Sequence, residues 1–252
     1  MTLLSGADAW VIWAVCAALL AGGIVKGVSG LGLPLVAAPV LANFIPVPQA
    51  IALLTVPSIV TSIWQVVHGG HYVGVMRRMW PFIVAMGCGI VAGVSVLVSI
   101  DVKLLYLLLG AFVAAFSLLF VRRVVFMLTP NSERWAAPMF GLAAGFIGGV
   151  SMMFGPIFAM YLSGLGLDKN RFVATVSTVN LSAALILALA LSRHDVFDVQ
   201  TFAASTALTI PTLAGIFIGQ RLRARIDEES FRRALAIFLL VVGANLIRRG
   251  FS

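Results

Sequence analysis

Two short stretches hold the residues best suited to chemistry, and they read alike. Gly23-Ile24-Val25-Lys26-Gly27-Val28-Ser29 is followed by Pro34, and Gly145-Phe146-Ile147-Gly148-Gly149-Val150-Ser151 is followed by Pro156. Both follow the pattern G-(apolar)2-x-G-V-S-x4-P, at an offset of 122 residues. Glycines between two apolar runs break a helix, and proline suits the first turn of the next, where no N–H is needed. A helix starting there directs free backbone N–H groups and the positive end of its dipole at one place. That is the chemistry of an anion site. Ser29 and Ser151 can add hydroxyl donors, and Gly30, Gly32 and Gly155 let backbone come close to a ligand. Tight helix packing would use the same residue types. The recurrence of the motif beside a proline favours the anion site.

Lys26 is the only basic residue far from every loop. A lysine in mid-membrane costs about 2.5–3.5 kcal/mol on insertion scales, so an intramembrane charge points to function. A snorkelling lysine near one face is the alternative. Gly148 stands in its place in the second motif. Other polar residues in the apolar runs are sparse; Ser58 and Asn180 match at the same offset. They would either line a pathway or bond between helices. His68 and His71 form an i, i+3 pair, but they lie among glycines with no Cys or carboxylate nearby, so a loop role is favoured over a metal site. No Ser/His/Asp arrangement, paired carboxylate or P-loop appears, so neither an enzyme nor an ATP-driven pump is expected, and no cofactor or metal is implied. No Asp or Glu sits in a helix centre, which argues against a carboxylate proton relay.

The elements that must position these residues are membrane helices. The 252 residues are 61% hydrophobic and 10% charged, with a mean hydropathy of +1.09. Soluble domains carry about 25% charged residues. Residues 28–76, 80–100, 104–121, 135–167, 172–192, 199–220 and 234–247 contain no Asp, Glu, Lys or Arg. Crossing ~30 Å of hydrocarbon takes about 20 apolar residues as helix. The runs do not alternate as barrel strands would. The net charge of +8 comes from Arg and Lys at helix ends, so it reads as a topology signal rather than a nucleic-acid surface. Cys16 and Cys88 lie in apolar runs and read as packed thiols. The N-terminus lacks the pattern of a cleavable signal peptide, so its first apolar run is expected to be the first helix.

The chain is therefore expected to be all-α, a polytopic transmembrane bundle of two inverted repeats of about five helical segments each. Residues 1–122 form the first repeat, 123–134 a linker and 135–252 the second. The expected helices cover 9–26, 34–44, 48–67, 79–99 and 103–122, then 135–148, 156–164, 171–192, 198–219 and 231–248. Ala92-Gly93 and Ala214-Gly215 match at the common offset. The short second helix of each repeat makes a broken or re-entrant hairpin with the first, so its two ends share a side. With that hairpin, the loops around Arg77, Arg122, Lys169 and Arg225 hold twelve of the 17 basic residues on one side. Lys103, Arg193, Arg248 and Arg249 lie on the other. Treating each hairpin as one span would split the charges evenly. The positive-inside rule then places both termini outside, although Arg248 and Arg249 count against it. The two breaks would enter from opposite faces and meet near the midplane.

The stretch K-G-V-S-G-L-G-L-P-L-V-A-A-P-V-L (26–41), its echo G-G-V-S-M-M-F-G-P-I-F-A-M-Y-L (148–162), the chain length and the two-half plan resemble the TauE/SafE family of sulfite and organosulfonate exporters. The resemblance spans nearly the whole chain. It implies a secondary transporter in the bacterial inner membrane that exports sulfite or an organosulfonate such as sulfoacetate. Its partners would be a small anion and the lipid bilayer, with a homo-oligomer left open. An anion channel or a non-transporting scaffold subunit is the alternative. The expected substrate-binding residues are Lys26, Ser29, Gly30, Gly32, Pro34, Ser151, Met152, Gly155, Pro156 and Asn180. Met152, Met153 and Phe154 depart from the glycine-rich pattern of the first break, which would make one wall apolar and suited to the carbon part of an organosulfonate.

Overall fold

The computed structural model describes residues 9–30, 32–69, 72–122, 130–167, 169–194, 196–223, 225 and 227–251. His71, Arg123 and Asp195 lie outside them. Every element among the described residues is a helix: α1 (Ala9–Ser29), α2 (Leu33–Leu41), α3 (Val47–Gly69), α4 (Tyr72–Ser99), α5 (Val102–Arg122), α6 (Pro130–Ser151), α7 (Gly155–Gly164), α8 (Lys169–Ser192), α9 (Val199–Ala207), α10 (Thr209–Leu222) and α11 (Glu228–Phe251). Six spans in them are long and apolar enough to cross a membrane. Their outward faces are apolar, as a lipid-facing surface must be: Trp13 is 75% and Leu189 69% exposed.

These helices follow the apolar runs closely, with three differences. The expected helix over 198–219 is interrupted at Leu208. Pro211 causes this: it has no N–H for the carbonyl four residues back, on Ala207, where α9 ends. The helix expected from residue 79 begins at Tyr72, so Arg77 and Arg78 are helical. The segment 130–134, read as linker, is the first turn of α6. Pro130 at the first helical position and Glu133 in the first turn are both favoured there. Glu133 accepts two hydrogen bonds from the Arg78 guanidinium, each 3.1 Å, which fixes the start of α4 beside the start of α6.

The helices form two compact units that cut across the sequence halves. One comprises Met1–Pro57, Ser99–Val124 and Asp198–Ser252; the other Ser58–Val98 and Val125–Phe197. In the first, α1 packs on α10 through glycines. A Cβ on Gly23 would lie 3.1 Å from Gly215 Cα, and one on Gly27 would lie 2.9 Å from Gly219 Cα. In the second, α6 packs on α4 in the same way. A Cβ on Gly89 would lie 3.0 Å from the Gly145 carbonyl carbon, and one on Gly93 would lie 2.9 Å from Gly149 Cα. In lipid no hydrophobic force draws helices together, so close backbone approach over small residues supplies the packing.

The first helix of each expected repeat thus rests on the fourth helix of the other. The contacts correct one sequence match. Gly23 meets Gly215 and Gly145 meets Gly89, so the counterpart of Gly215 is Gly89 rather than Gly93. The fourth helices are equivalent one helical turn away from the common offset.

Both opening hairpins turn back on themselves. Trp10, at the start of α1, packs edge-to-face on Phe44, just beyond α2, with ring centroids 5.6 Å apart. Phe140, early in α6, meets Tyr161, late in α7, at 5.8 Å. With nine and ten residues, α2 and α7 are about 14 and 15 Å long, half of a ~30 Å hydrocarbon core. Neither is long enough to span that core as a helix. In the first unit, Asn245 donates to Asn43 at 2.6 Å, and a Cβ on Gly250 would meet the Lys103 carbonyl at 2.9 Å. The start of α1, the end of α2, the start of α5 and the end of α11 therefore share one end of that unit.

Candidate functional site

The first break is built by α1 and α2. Ser29 ends α1 and donates its hydroxyl to the Val25 carbonyl at 2.8 Å. Gly30 follows at φ 77°, with its N–H on the Lys26 carbonyl at 2.8 Å. This is a left-handed helix cap, which glycine adopts without a steric penalty. Gly32, at φ 125°, precedes α2, and no side chain caps that helix. Pro34 occupies its first turn and has no N–H. The Val36 N–H bonds the Gly32 carbonyl at 3.2 Å, so the first-turn donors, Leu33 and Leu35, have no carbonyl four residues back within the helix. α2 lies directly against α1: a Cβ on Gly32 would be 2.6 Å from Val25 Cγ1 and 3.8 Å from Ser29 Oγ. Lys26 is on that same turn of α1 and is 3% exposed. Protein encloses it, so it does not snorkel to a surface.

The second break repeats the left-handed residue with different side chains, but its N-cap, Phe154, sits at φ −67° where Gly32 sits at φ 125°. Ser151 donates to the Ile147 carbonyl at 2.7 Å and accepts the Met153 N–H at 3.2 Å. Met152 takes the left-handed position at φ 61°, with its N–H on the Gly148 carbonyl at 2.6 Å. A left-handed residue with a Cβ costs roughly 1–2 kcal/mol. Burial of the Met152 side chain, 1% exposed, offsets that cost. α7 then starts at Gly155 with Pro156 in its first turn and no side-chain cap.

The two breaks exchange one large residue for another. In the second, the Phe154 ring lies on Gly148, where a Cβ would be 2.7 Å from Phe154 Cγ. At the common offset, Gly148 and Phe154 correspond to Lys26 and Gly32. The first break therefore has a lysine with a glycine below it, and the second has a glycine covered by a phenyl ring. Met153 and Phe154 are 1% and 5% exposed, so this wall is apolar.

Of the expected site residues, Lys26, Ser29, Gly30, Gly32 and Pro34 come together in one unit, and Ser151, Met152, Gly155 and Pro156 come together in the other. Both serine hydroxyl protons are engaged on the helix backbone, which leaves backbone N–H groups at both breaks, and the Lys26 ammonium at the first, as donors. Asn180 is half-buried on α8. Cys16 and Cys88 are both free thiols.

The glycines of the first break differ in their tolerance. Gly30→Ala meets nothing within 4 Å but keeps an unfavourable φ, so a loss of about 1–2 kcal/mol is expected. Gly32→Ala combines a left-handed φ with the Val25 contact, so it should cost more, about 3 kcal/mol. Thermal unfolding of the purified protein in detergent checks the order.

The family model of the sulfite exporter TauE/SafE matches residues 14–246. No curated protein and no solved structure matches the chain. The match runs from the body of α1 to the last turns of α11 and includes both breaks, both short helices α2 and α7, and both glycine seams. It joins the apolar, lipid-facing helices in one conclusion: the chain belongs to the sulfite exporter TauE/SafE family of multi-pass membrane transporters.

Proposed function

We propose that the protein is a secondary transporter that exports sulfite or an organosulfonate such as sulfoacetate by alternating access, holding the anion at its helix breaks. The observation that carries this reading is Lys26, enclosed by protein on the turn of α1 that touches the uncapped start of α2. A buried cation and a helix N-terminus both favour a small anion, and together they hold it without a carboxylate or a metal. The first break is the charged element. The second, with Met152, Met153 and Phe154, carries an apolar cover where the first has the lysine. Residues 26–34 and 148–156 are the binding elements, and Asn180 is a further pathway residue.

The test is counterflow in proteoliposomes. Vesicles loaded with unlabelled sulfite or sulfoacetate should accumulate the labelled anion transiently and saturably. Flux without saturation or counterflow would make the protein a channel. Folded protein that moves neither anion would leave a scaffold role.

A further inference from the structure

α3 carries a line of buried polar side chains on its second half. Ser58 is 5% exposed, Ser62 1% and Gln65 9%. At 100° per residue these three lie within a sector of about 60°, and Ser58 and Gln65 are about 10 Å apart along the helix axis. All three belong to one compact unit. Thr55 and Thr61 flank the line, and their hydroxyls are used locally, on the Ile51 carbonyl at 3.0 Å and the Ser58 carbonyl at 3.1 Å.

Ser58 Oγ and Gln65 Oε1 differ from these. Both are buried, and neither finds a hydrogen-bond partner among the described residues. Buried polar atoms in folded proteins almost always have a partner, so two unmet atoms on one face of one helix call for an explanation. A serine on a membrane helix can satisfy itself on the carbonyl four residues back, as Ser29, Ser95, Ser151, Ser182 and Ser192 all do here. Ser58 has that option on the Leu54 carbonyl and does not take it. The equivalent face of α8 keeps a polar residue only at Asn180, the counterpart of Ser58. Ser62 and Gln65 correspond at the 122-residue offset to Ala184 and Leu187, both fully buried. Helix packing at these positions therefore works with apolar side chains.

We infer that the face of α3 carrying Ser58 and Gln65 is a hydrogen-bonding track for the transported sulfur oxyanion and its hydration water, with Ser58 donating to an anion oxygen and Gln65 accepting from a water or an S–OH proton. This rests on the transport reading above and adds a pathway element outside the two breaks. A track needs groups that are free to bind and release, which unmet donors and acceptors provide and self-satisfied ones do not.

The full-length protein in proteoliposomes tests it, with sulfite counterflow and melting temperature measured on the same preparations. Gln65→Met keeps the side-chain length without the amide, and Ser58→Ala removes a single oxygen. If the track is right, each variant melts at or above the wild-type temperature, because it removes an unmet polar atom. Each also loses about ten-fold or more in sulfite kcat/KM, as expected when a hydrogen bond to a charged ligand is lost. Gln65→Glu, with the same footprint and a negative charge, should raise KM for sulfite further. Wild-type counterflow with all three variants within two-fold would overturn the track and leave the transport reading standing. Folded wild-type protein without sulfite flux would overturn both.

Discussion

Lys26→Met is expected to abolish most transport while leaving the protein folded. Methionine keeps the length of the lysine stem inside the enclosed site and removes the charge. A hydrogen bond or ion contact to a charged group is worth roughly 2–3 kcal/mol, which corresponds to a ~30- to 150-fold fall in kcat/KM for the anion. Stability should move the other way. A lysine that is 3% exposed in a membrane helix is costly to insert, so the neutral variant should melt at the same temperature or higher. This pairing of lost flux with kept or raised stability separates a binding lysine from a structural one. Counterflow within two-fold of wild type, in protein that melts normally, would remove Lys26 from the site. A fall in melting temperature with the loss of flux would make it a packing residue. A second variant sharpens the result: Gly148→Lys should not restore flux to Lys26→Met, because the Phe154 ring lies where that side chain would start.

The largest effects on stability are expected along the glycine seams. A Cβ on Gly145 would run into the Met86 carbonyl oxygen and lie 2.8 Å from Met86 Cα. These are backbone atoms of a neighbouring helix and cannot move aside alone. Gly145→Ala should therefore reach or exceed the upper end of overpacking costs, about 3 kcal/mol, and Gly145→Leu should yield no folded protein. Gly215→Ala should behave likewise in the other unit, where the Leu20 carbonyl oxygen and Gly23 Cα, at 3.0 Å, stand in the way. Gly74→Ala is the control. Nothing lies within 4 Å of its added methyl, and alanine favours helix over glycine by about 0.8–1 kcal/mol, so it should be neutral or slightly stabilising. Unfolding in mixed detergent micelles, followed by helical circular dichroism, gives the comparison. Equal stability of Gly145→Ala and Gly74→Ala would mean that α4 and α6 are not held by this seam.

The helices were legible because lipid imposes a simple rule. Charge-free runs of the right length must be helical, and proline and glycine mark where they stop. Pro34 and Pro156 located the two short helices α2 and α7 for that reason. Pro130 was misread as linker because proline is equally at home in a loop and at the first helical position. The break at Leu208 was missed because Pro211 lies inside an uninterrupted apolar run, where its effect on one carbonyl leaves no trace in hydropathy. The site was only partly legible. The motif G-V-S-x4-P marked where both helices break, but not that Met152 takes the left-handed position of Gly30 or that Phe154 is right-handed where Gly32 is not. It did not reveal that the serine hydroxyls are spent on helix carbonyls, since the same residue type serves either use. The exchange of Lys26 and Gly32 for Gly148 and Phe154 depends on a ring folding back across six residues. The unmet atoms of Ser58 and Gln65 emerged only from burial, since in sequence they look like any other polar residue in an apolar helix.

The crossed packing of the glycine seams also sets an order of assembly. Gly89 and Gly93 meet their counterparts as soon as α6 has been inserted, two helices after α4. Gly23 and Gly27 of α1 must wait for Gly215 and Gly219, when nearly the whole chain has left the ribosome. During synthesis α1 therefore stays in the bilayer with its small-residue face open, while the unit of Ser58–Val98 and Val125–Phe197 closes ahead of it. A nascent chain arrested before α10 would expose that face to any other small-residue helix in the membrane. The buried lysine on the same helix would then be held by lipid rather than by protein, so quality control has both a sticky face and a misplaced charge to read.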